Sequence, residues 1–239
     1  MVSTYSTGIE PRQTLKEQLR LFAFNGSPMP SSDTLIHIQQ GLSKRERLAT
    51  LLESELNFHG ENSGYASHDL HAFAAKFPPQ LPRAFIRGLT NPGDIVLDPM
   101  MGSGTTVVEA LLEGRQGIGL DIDPLALHLS CVKTRPLDVD RLRDIGYRAI
   151  AQANALLSNG KVIEQSFSQR FDERTKAFIN YWFLPETQCE LIALMLAIQD
   201  VTDTSARQFL ELTFSSIIVT KSGGVSRARD LAHSRPHLD

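Results

Sequence analysis

Between Asn91 and Pro124 the chain runs turn, apolar run, glycine loop, helical pattern, second apolar run, and that order leaves few folds open. Asn91-Pro-Gly-Asp94 is a turn, and Ile95-Val-Leu97 is a short apolar run of the kind a buried parallel strand uses. Pro99 to Gly104 breaks that strand. Thr105 to Glu113 then reads as a helix with Val108, Leu111 and Leu112 inward, ended by Gly114 as a left-handed cap. The same face assignment turns Glu109 and Glu113 toward solvent. Gly117-Ile-Gly-Leu120 is a second strand, and Pro124 opens a helix containing Leu125, Leu127 and Leu129. A βαβ unit of this kind is right-handed and sits in a parallel sheet.

The loop Asp98-Pro-Met-Met-Gly-Ser-Gly-Thr-Thr106 and the run Gly119-Leu-Asp121-Ile-Asp123 carry the chemistry. Gly102 and Gly104 allow a tight turn after the strand and a close approach of ligand to the helix start. Asp121 lies 19 residues after Gly102, at the tip of the second strand, where an acid accepts hydrogen bonds from ribose hydroxyls. Three ligands compete for this geometry. A nucleoside triphosphate loop needs a lysine after the glycines, and none follows. A dinucleotide loop needs a third glycine where Val107 stands, so close helix–sheet approach over a pyrophosphate is not provided for. S-adenosylmethionine has no phosphate. It needs a glycine turn beside its methionine part, an acid near its sulfonium and amine, and a second acid for its ribose. Asp98 and Asp121 answer to those two acids. The plainer reading makes them helix N-caps beside a tight turn.

With this loop in place the segment before it becomes informative. The run His71-Ala-Phe-Ala-Ala-Lys76-Phe-Pro-Pro-Gln-Leu-Pro-Arg83-Ala-Phe-Ile86, followed by Asp98-Pro-x-x-Gly-Ser-Gly-Thr-Thr106, resembles the N4-cytosine/N6-adenine DNA methyltransferase family. The resemblance covers about Ser67–Pro136. It implies that Lys76, Phe77 and Pro78 line the methionine end of an S-adenosylmethionine pocket. It implies that Asp98, Pro99, Met100, Gly102, Ser103, Gly104, Thr105 and Thr106 form the cofactor loop, with Asp121 and Asp123 on the ribose side. Met100 stands where the family has phenylalanine, a soft apolar exchange. The expected fold is α/β, Rossmann-like, with helical additions at both ends.

The departure from the family is equally specific. Its chemistry uses [Asp/Asn/Ser]-Pro-Pro-[Tyr/Phe/Trp], whose polar group holds the target amine while the aromatic stacks on a flipped base. No such tetrapeptide occurs here, and Phe77-Pro-Pro-Gln80 has neither the acid nor the aromatic in place. No catalytic residue is assigned. In members of this motif order the tetrapeptide follows the cofactor strands, so it is expected beyond Asp239 or on a partner chain, the alternative being a degenerate copy. The alternatives are an RNA guanine-N2 methyltransferase and a non-catalytic S-adenosylmethionine- or DNA-binding subunit.

The remaining chain reads as a helical extension over 1–66, a helical region over 137–222 and a basic tail over 223–239, around a core at 67–136. Residues 1–10 read as a frayed polar tail. Helical patterns fall at Thr14–Phe24 and at Leu42–Leu56, the second with Leu48, Leu51, Leu52 and Leu56 on one face. Further helices are expected at Val139–Leu157, Asp172–Phe183, Glu186–Asp200 and Ser205–Lys221. Tyr181-Trp-Phe183 reads as core, and Lys221 to Arg229 as a solvated basic run able to contact phosphates. Only two strong strands are visible, against about five or more in a doubly wound sheet, so an unfinished sheet edge is expected. A net charge of −3 excludes a uniformly basic nucleic-acid binder but not a basic face. Cys131 and Cys189 have no metal or disulfide spacing, which points to a cytoplasmic setting.

Overall fold

A computed structural model describes residues 3–4, 41–74, 76–218 and 224–228. The expected helix at Thr14–Phe24 lies outside these residues. The chain divides into two compact units, Met1–Pro136 and Leu137–Asp239.

In the first unit, three strands are present among the described residues: β1 (Ser3–Thr4), β2 (Ile95–Asp98) and β3 (Gln116–Gly119), in the order β1-β3-β2. β2 and β3 run parallel, with Ile95 opposite Gln116 and Asp98 opposite Gly119. The strands expected from the apolar runs are therefore both present. Ser3–Thr4, placed in the frayed tail by its polarity, instead pairs antiparallel with β3, because strand pairing uses backbone groups that every residue carries. Ile95 and Leu97 are exposed on β2, which has no second neighbour among the described residues.

Among the described residues four helices accompany the sheet: α1 (Lys44–Glu53), α2 (Gln80–Leu89), α3 (Thr105–Leu112) and α4 (Pro124–Thr134). α1 starts at a capping box in which Ser43 and Glu46 satisfy each other's backbone N–H groups. Of its expected leucine face only Leu51 is buried, against Gly88 of α2, while Leu48 and Leu52 are exposed. Arg47 adds a polar contact between the two helices, its Nη1 donating to the Gly88 carbonyl at 3.2 Å. α3 begins after Gly104, whose φ of 77° is left-handed, and Gly114 closes its far end at the same φ.

α3 lies close on β3 beside Val107. A Cβ on Gly117 would sit 2.8 Å from Val107 Cγ1, and one on Gly119 would collide with Met101. The room that a dinucleotide fold makes with a glycine on the helix is made here with glycines on the strand.

The second unit is all helical among its described residues: α5 (Val139–Leu157), α6 (Gly160–Arg170), α7 (Glu173–Trp182), α8 (Pro185–Gln199) and α9 (Thr204–Ile218). Asp138 and Asp172 cap α5 and α7 by accepting the N–H of Arg141 and of Thr175. Ala153, Ile163, Ile192, Ala193 and Ala197 form one core, its three alanines letting helices approach closely. Trp182 and Phe183 form another with Ala228, while Tyr181 is exposed. The basic run is not wholly a solvated tail. Val225 and Ser226 donate to the carbonyls of Ile217 and Ile218, and Arg227 N–H donates to that of Trp182. Among the described residues no helix is long and apolar enough to cross a membrane.

Candidate functional site

Two chain crossings leave the C-terminal ends of β2 and β3 side by side, and backbone bonds hold them there. Leu120 N–H donates to the Asp98 carbonyl at 2.9 Å, and Met101 N–H donates back to the Leu120 carbonyl at 3.0 Å. The glycine loop is tied to the second crossing by a side chain. Asp121 Oδ2 accepts the Gly102 N–H at 2.8 Å, and Oδ1 accepts the Asp123 N–H at 2.9 Å. These backbone donors, Asp123 first, hold the Asp121 carboxyl below the usual aspartate range. Asp98 Oδ1 accepts the Met100 N–H at 3.1 Å. Neither Asp98 nor Asp121 is a helix N-cap. Asp123 is one, taking the Leu125 N–H at 2.9 Å at the start of α4.

The two acids are joined by apolar side chains turned outward. Met100 is 84% exposed and Ile122 wholly exposed, on adjacent crossings. Pro99 is also exposed, whereas Ser103 and Thr105 are buried and share a 3.2 Å contact between hydroxyls; Thr106 is half-buried. Gly104 is required by more than its φ. A Cβ there would lie 2.4 Å from Ser130 Oγ on α4.

The segment before α2 packs on the same loop. A Cβ on Gly102 would lie 3.3 Å from the Phe73 ring. Lys76 Nζ donates to the His68 carbonyl at 2.9 Å, Phe77 is exposed and Pro78 half-buried. The structure thus places the Lys-Phe-Pro segment and the glycine loop beside a common neighbour. Buried Lys133 on α4 donates to the Ser103 carbonyl at 3.0 Å and lies 3.5 Å from the His68 carbonyl. Burial, with Lys76 nearby, pushes its ammonium down to about 7.

Sequence reasoning missed the charged cluster beneath this site. Glu109 is 0% exposed, and the expectation of a solvent-facing residue is overturned. Its Oε1 accepts from Tyr65 Oη at 2.8 Å and from His68 Nε2 at 2.7 Å; its Oε2 accepts from Arg83 Nε at 2.8 Å. Arg83 also stacks over the Tyr65 ring at 4.5 Å. Burial works to raise the Glu109 carboxyl, but the His68 hydrogen bond and the Arg83 charge outweigh it and keep the group ionised. Burial lowers the His68 imidazole below its usual range, and the ionised Glu109 carboxylate, an acceptor only, requires the hydrogen between them to sit on His68 Nε2. Glu113, also read as solvent-facing, receives Arg87 at 2.8 and 2.9 Å. The reason is physical: α3 is covered on both sides, by the sheet on one and by residues 65–68 and α2 on the other. One sequence signal could have found it. Arg83 and Arg87 repeat at the same four-residue spacing as Glu109 and Glu113. Among the described residues no three His, Cys, Asp or Glu side chains converge as a metal site.

A family model described as DNA methylase matches residues 17–130. The Type II methyltransferase M.MjaII of Methanocaldococcus jannaschii is 41% identical over 78 residues, 33% of this chain and 15% of that protein. M.MvaI of Kocuria varians is 29% identical over 171 residues, 68% of this chain and 36% of its own. M.BglI of Bacillus subtilis is 54% identical over 56 residues, 23% and 16% respectively. The chain therefore spans about a third or less of the length of these relatives. No solved structure matches it. Through residues 17–130, the chain is similar to the N6/N4 DNA methyltransferase family.

Proposed function

We propose that residues 67–136 are the S-adenosylmethionine-holding part of a DNA methyltransferase with a Rossmann-like core, acting on an exocyclic amine, N6 of adenine or N4 of cytosine. The observation that carries this is the strand-end geometry. Asp98 and Asp121 lie on two crossings tied by reciprocal backbone bonds, with exposed Met100 and Ile122 beside them. The chemistry of that edge suits one ligand class. A purine needs apolar cover, a ribose needs a carboxylate acceptor, and a sulfonium needs a nearby negative charge. Phosphate would meet acids here and no lysine in the loop.

In this reading Asp121 does two things at once. Each oxygen accepts one backbone N–H and keeps a second lone pair for a ribose hydroxyl. Asp98 sets negative charge at the methionine side, and Lys76, Phe77 and Pro78 close that side. Bound S-adenosylmethionine supplies an electrophilic methyl group. The chain's own contribution is to fix its position, since methyl transfer gains mainly from alignment. No residue of 1–239 is given the amine-orienting role, because the [Asp/Asn/Ser]-Pro-Pro-aromatic element is not among them. DNA is the proposed substrate, reached with that element supplied by further chain or a second chain. Photo-crosslinking with methyl-labelled S-adenosylmethionine tests the site. Label is expected in peptides spanning 73–106 and 118–125, and label confined to the second unit would overturn the assignment.

A further inference from the structure

Lys133 is a buried cation that the mechanism above leaves unused. Lys133 is 1% exposed, yet among the described residues no carboxylate lies within ion-pair distance of its ammonium. A buried lysine is costly unless its donors are satisfied. Its donors meet two backbone carbonyls, Ser103 in the glycine loop at 3.0 Å and His68 at 3.5 Å. The second contact is doubled, since Lys76 Nζ reaches the same carbonyl at 2.9 Å. The helix end is tied back as well: Ser67 Oγ donates to the Lys133 carbonyl at 3.0 Å. One side chain on α4 therefore joins the loop before Gly104 to the strap that leads into Lys76 and Phe77.

We infer that Lys133 is a positioning residue for the cofactor site, its buried ammonium holding the Ser103 and His68 carbonyls so that the glycine loop and the Lys76–Pro78 segment keep the spacing the ligand needs. The inference rests on the reading of that loop as the cofactor loop. The ligand would not touch Lys133. A charged donor holds a carbonyl about twice as strongly as a neutral one, so loop order should follow the protonation of this amine. The groups facing it are Lys76, whose charge works against its own, Asp69, which works for it, and His68 and His71, both held below their usual range by burial. Burial disfavours the charged form of both histidines, whereas Lys133 titrates at about 7.

The test uses S-adenosylhomocysteine as probe with the full chain, by calorimetry at pH 6.5, 7.25 and 8. Wild type that fails to bind at any pH refutes the cofactor reading itself and not this step. With binding present, affinity is expected to fall several-fold from pH 6.5 to 8. Lys133→Met and the milder Lys133→Gln should bind at least tenfold more weakly at pH 6.5 and lose that pH dependence. Amide exchange at 102–105 should rise in the folded variants. A purely structural lysine would lower the melting temperature and leave affinity, its pH profile and loop protection unmoved. Folded variants that bind within twofold of wild type would overturn the inference. Should neither variant fold, a flat wild-type profile would overturn it.

Discussion

Arg83 Nε donates to Glu109 Oε2 at 2.8 Å across the interface of α2 and α3, with both side chains almost wholly buried. This pair, with Tyr65 and His68, anchors the helix that opens at the glycine loop. A buried ion pair adds little net stability relative to an apolar pair, but breaking one side of it is costly. Glu109→Ala should therefore destabilise the first unit by about 3–5 kcal/mol. Glu109→Gln should cost less, since it keeps an acceptor. Denaturant melts followed at a first-unit probe decide this. A midpoint unchanged by Glu109→Ala would mean that the cluster carries no such weight.

Gly104 offers a second, separable test. At φ 77° any side chain pays backbone strain, about 1–2 kcal/mol, and a Cβ also meets Ser130 Oγ at 2.4 Å. Gly104→Ala should lose both contributions. Adding Ser130→Ala should remove the Oγ clash and leave the strain and the tight approach to the Cβ and Cα of residue 130, at 3.0 and 3.2 Å, giving a favourable coupling of about 1 kcal/mol in a double-mutant cycle. Additive losses would show that the serine already yields without cost.

Stability should also depend on pH with a defined sign. Lys133 titrates at about 7 in the fold against the ordinary lysine value of 10.5. Between these values the unfolded chain binds the extra proton, so stability rises with pH, by at most about 1.4 kcal/mol per unit for one group. The penalty is complete below pH 7 and relieved above it. Tyr65 sets the upper limit, because burial raises its phenol well above the usual range and favours the unfolded chain once free tyrosine ionises near pH 10. Urea melts at pH 7, 8 and 9 should show the rise in wild type and its loss in Lys133→Met. An equal slope in both would assign it elsewhere.

Much of this site is legible in the residues alone, and the reasons are local. Glycine and proline punctuate Asn91 to Pro124 so strongly that β2, the loop, α3, β3 and α4 follow in order. α5 is read at its observed bounds because Asp138 caps an amphipathic run. α6 passes unread: Asn159 makes no side-chain cap and only Ile163 is buried. α2 passes unread because Pro82 sits in its first turn, a place that costs a helix little but resembles a break. Glu109 is missed for a different reason. Periodicity identifies one apolar face, but burial of the opposite face through ion pairs depends on what another segment brings, here Arg83, Tyr65 and His68. Lys133 likewise looks like an ordinary cationic helix end until Ser103 is placed beside it.

The exposed apolar face of β2 predicts a solution property. Ile95 and Leu97 are 62% and 57% exposed on a strand with no second neighbour among the described residues, an arrangement that favours association through backbone pairing and apolar contact. Size-exclusion chromatography with light scattering should show self-association of the isolated chain that Leu97→Lys reduces. A sharp monomer at high concentration would contradict it.

Ligand selectivity tests the central claim most directly. Calorimetry of the full chain with S-adenosylhomocysteine, NAD and ATP should give binding with the first alone. Asp121→Ala should weaken that binding by about 1–3 kcal/mol through loss of charged acceptors at the ribose and of the brace on Gly102. Preferential binding of NAD or ATP, or S-adenosylhomocysteine affinity indifferent to Asp121→Ala, would contradict it.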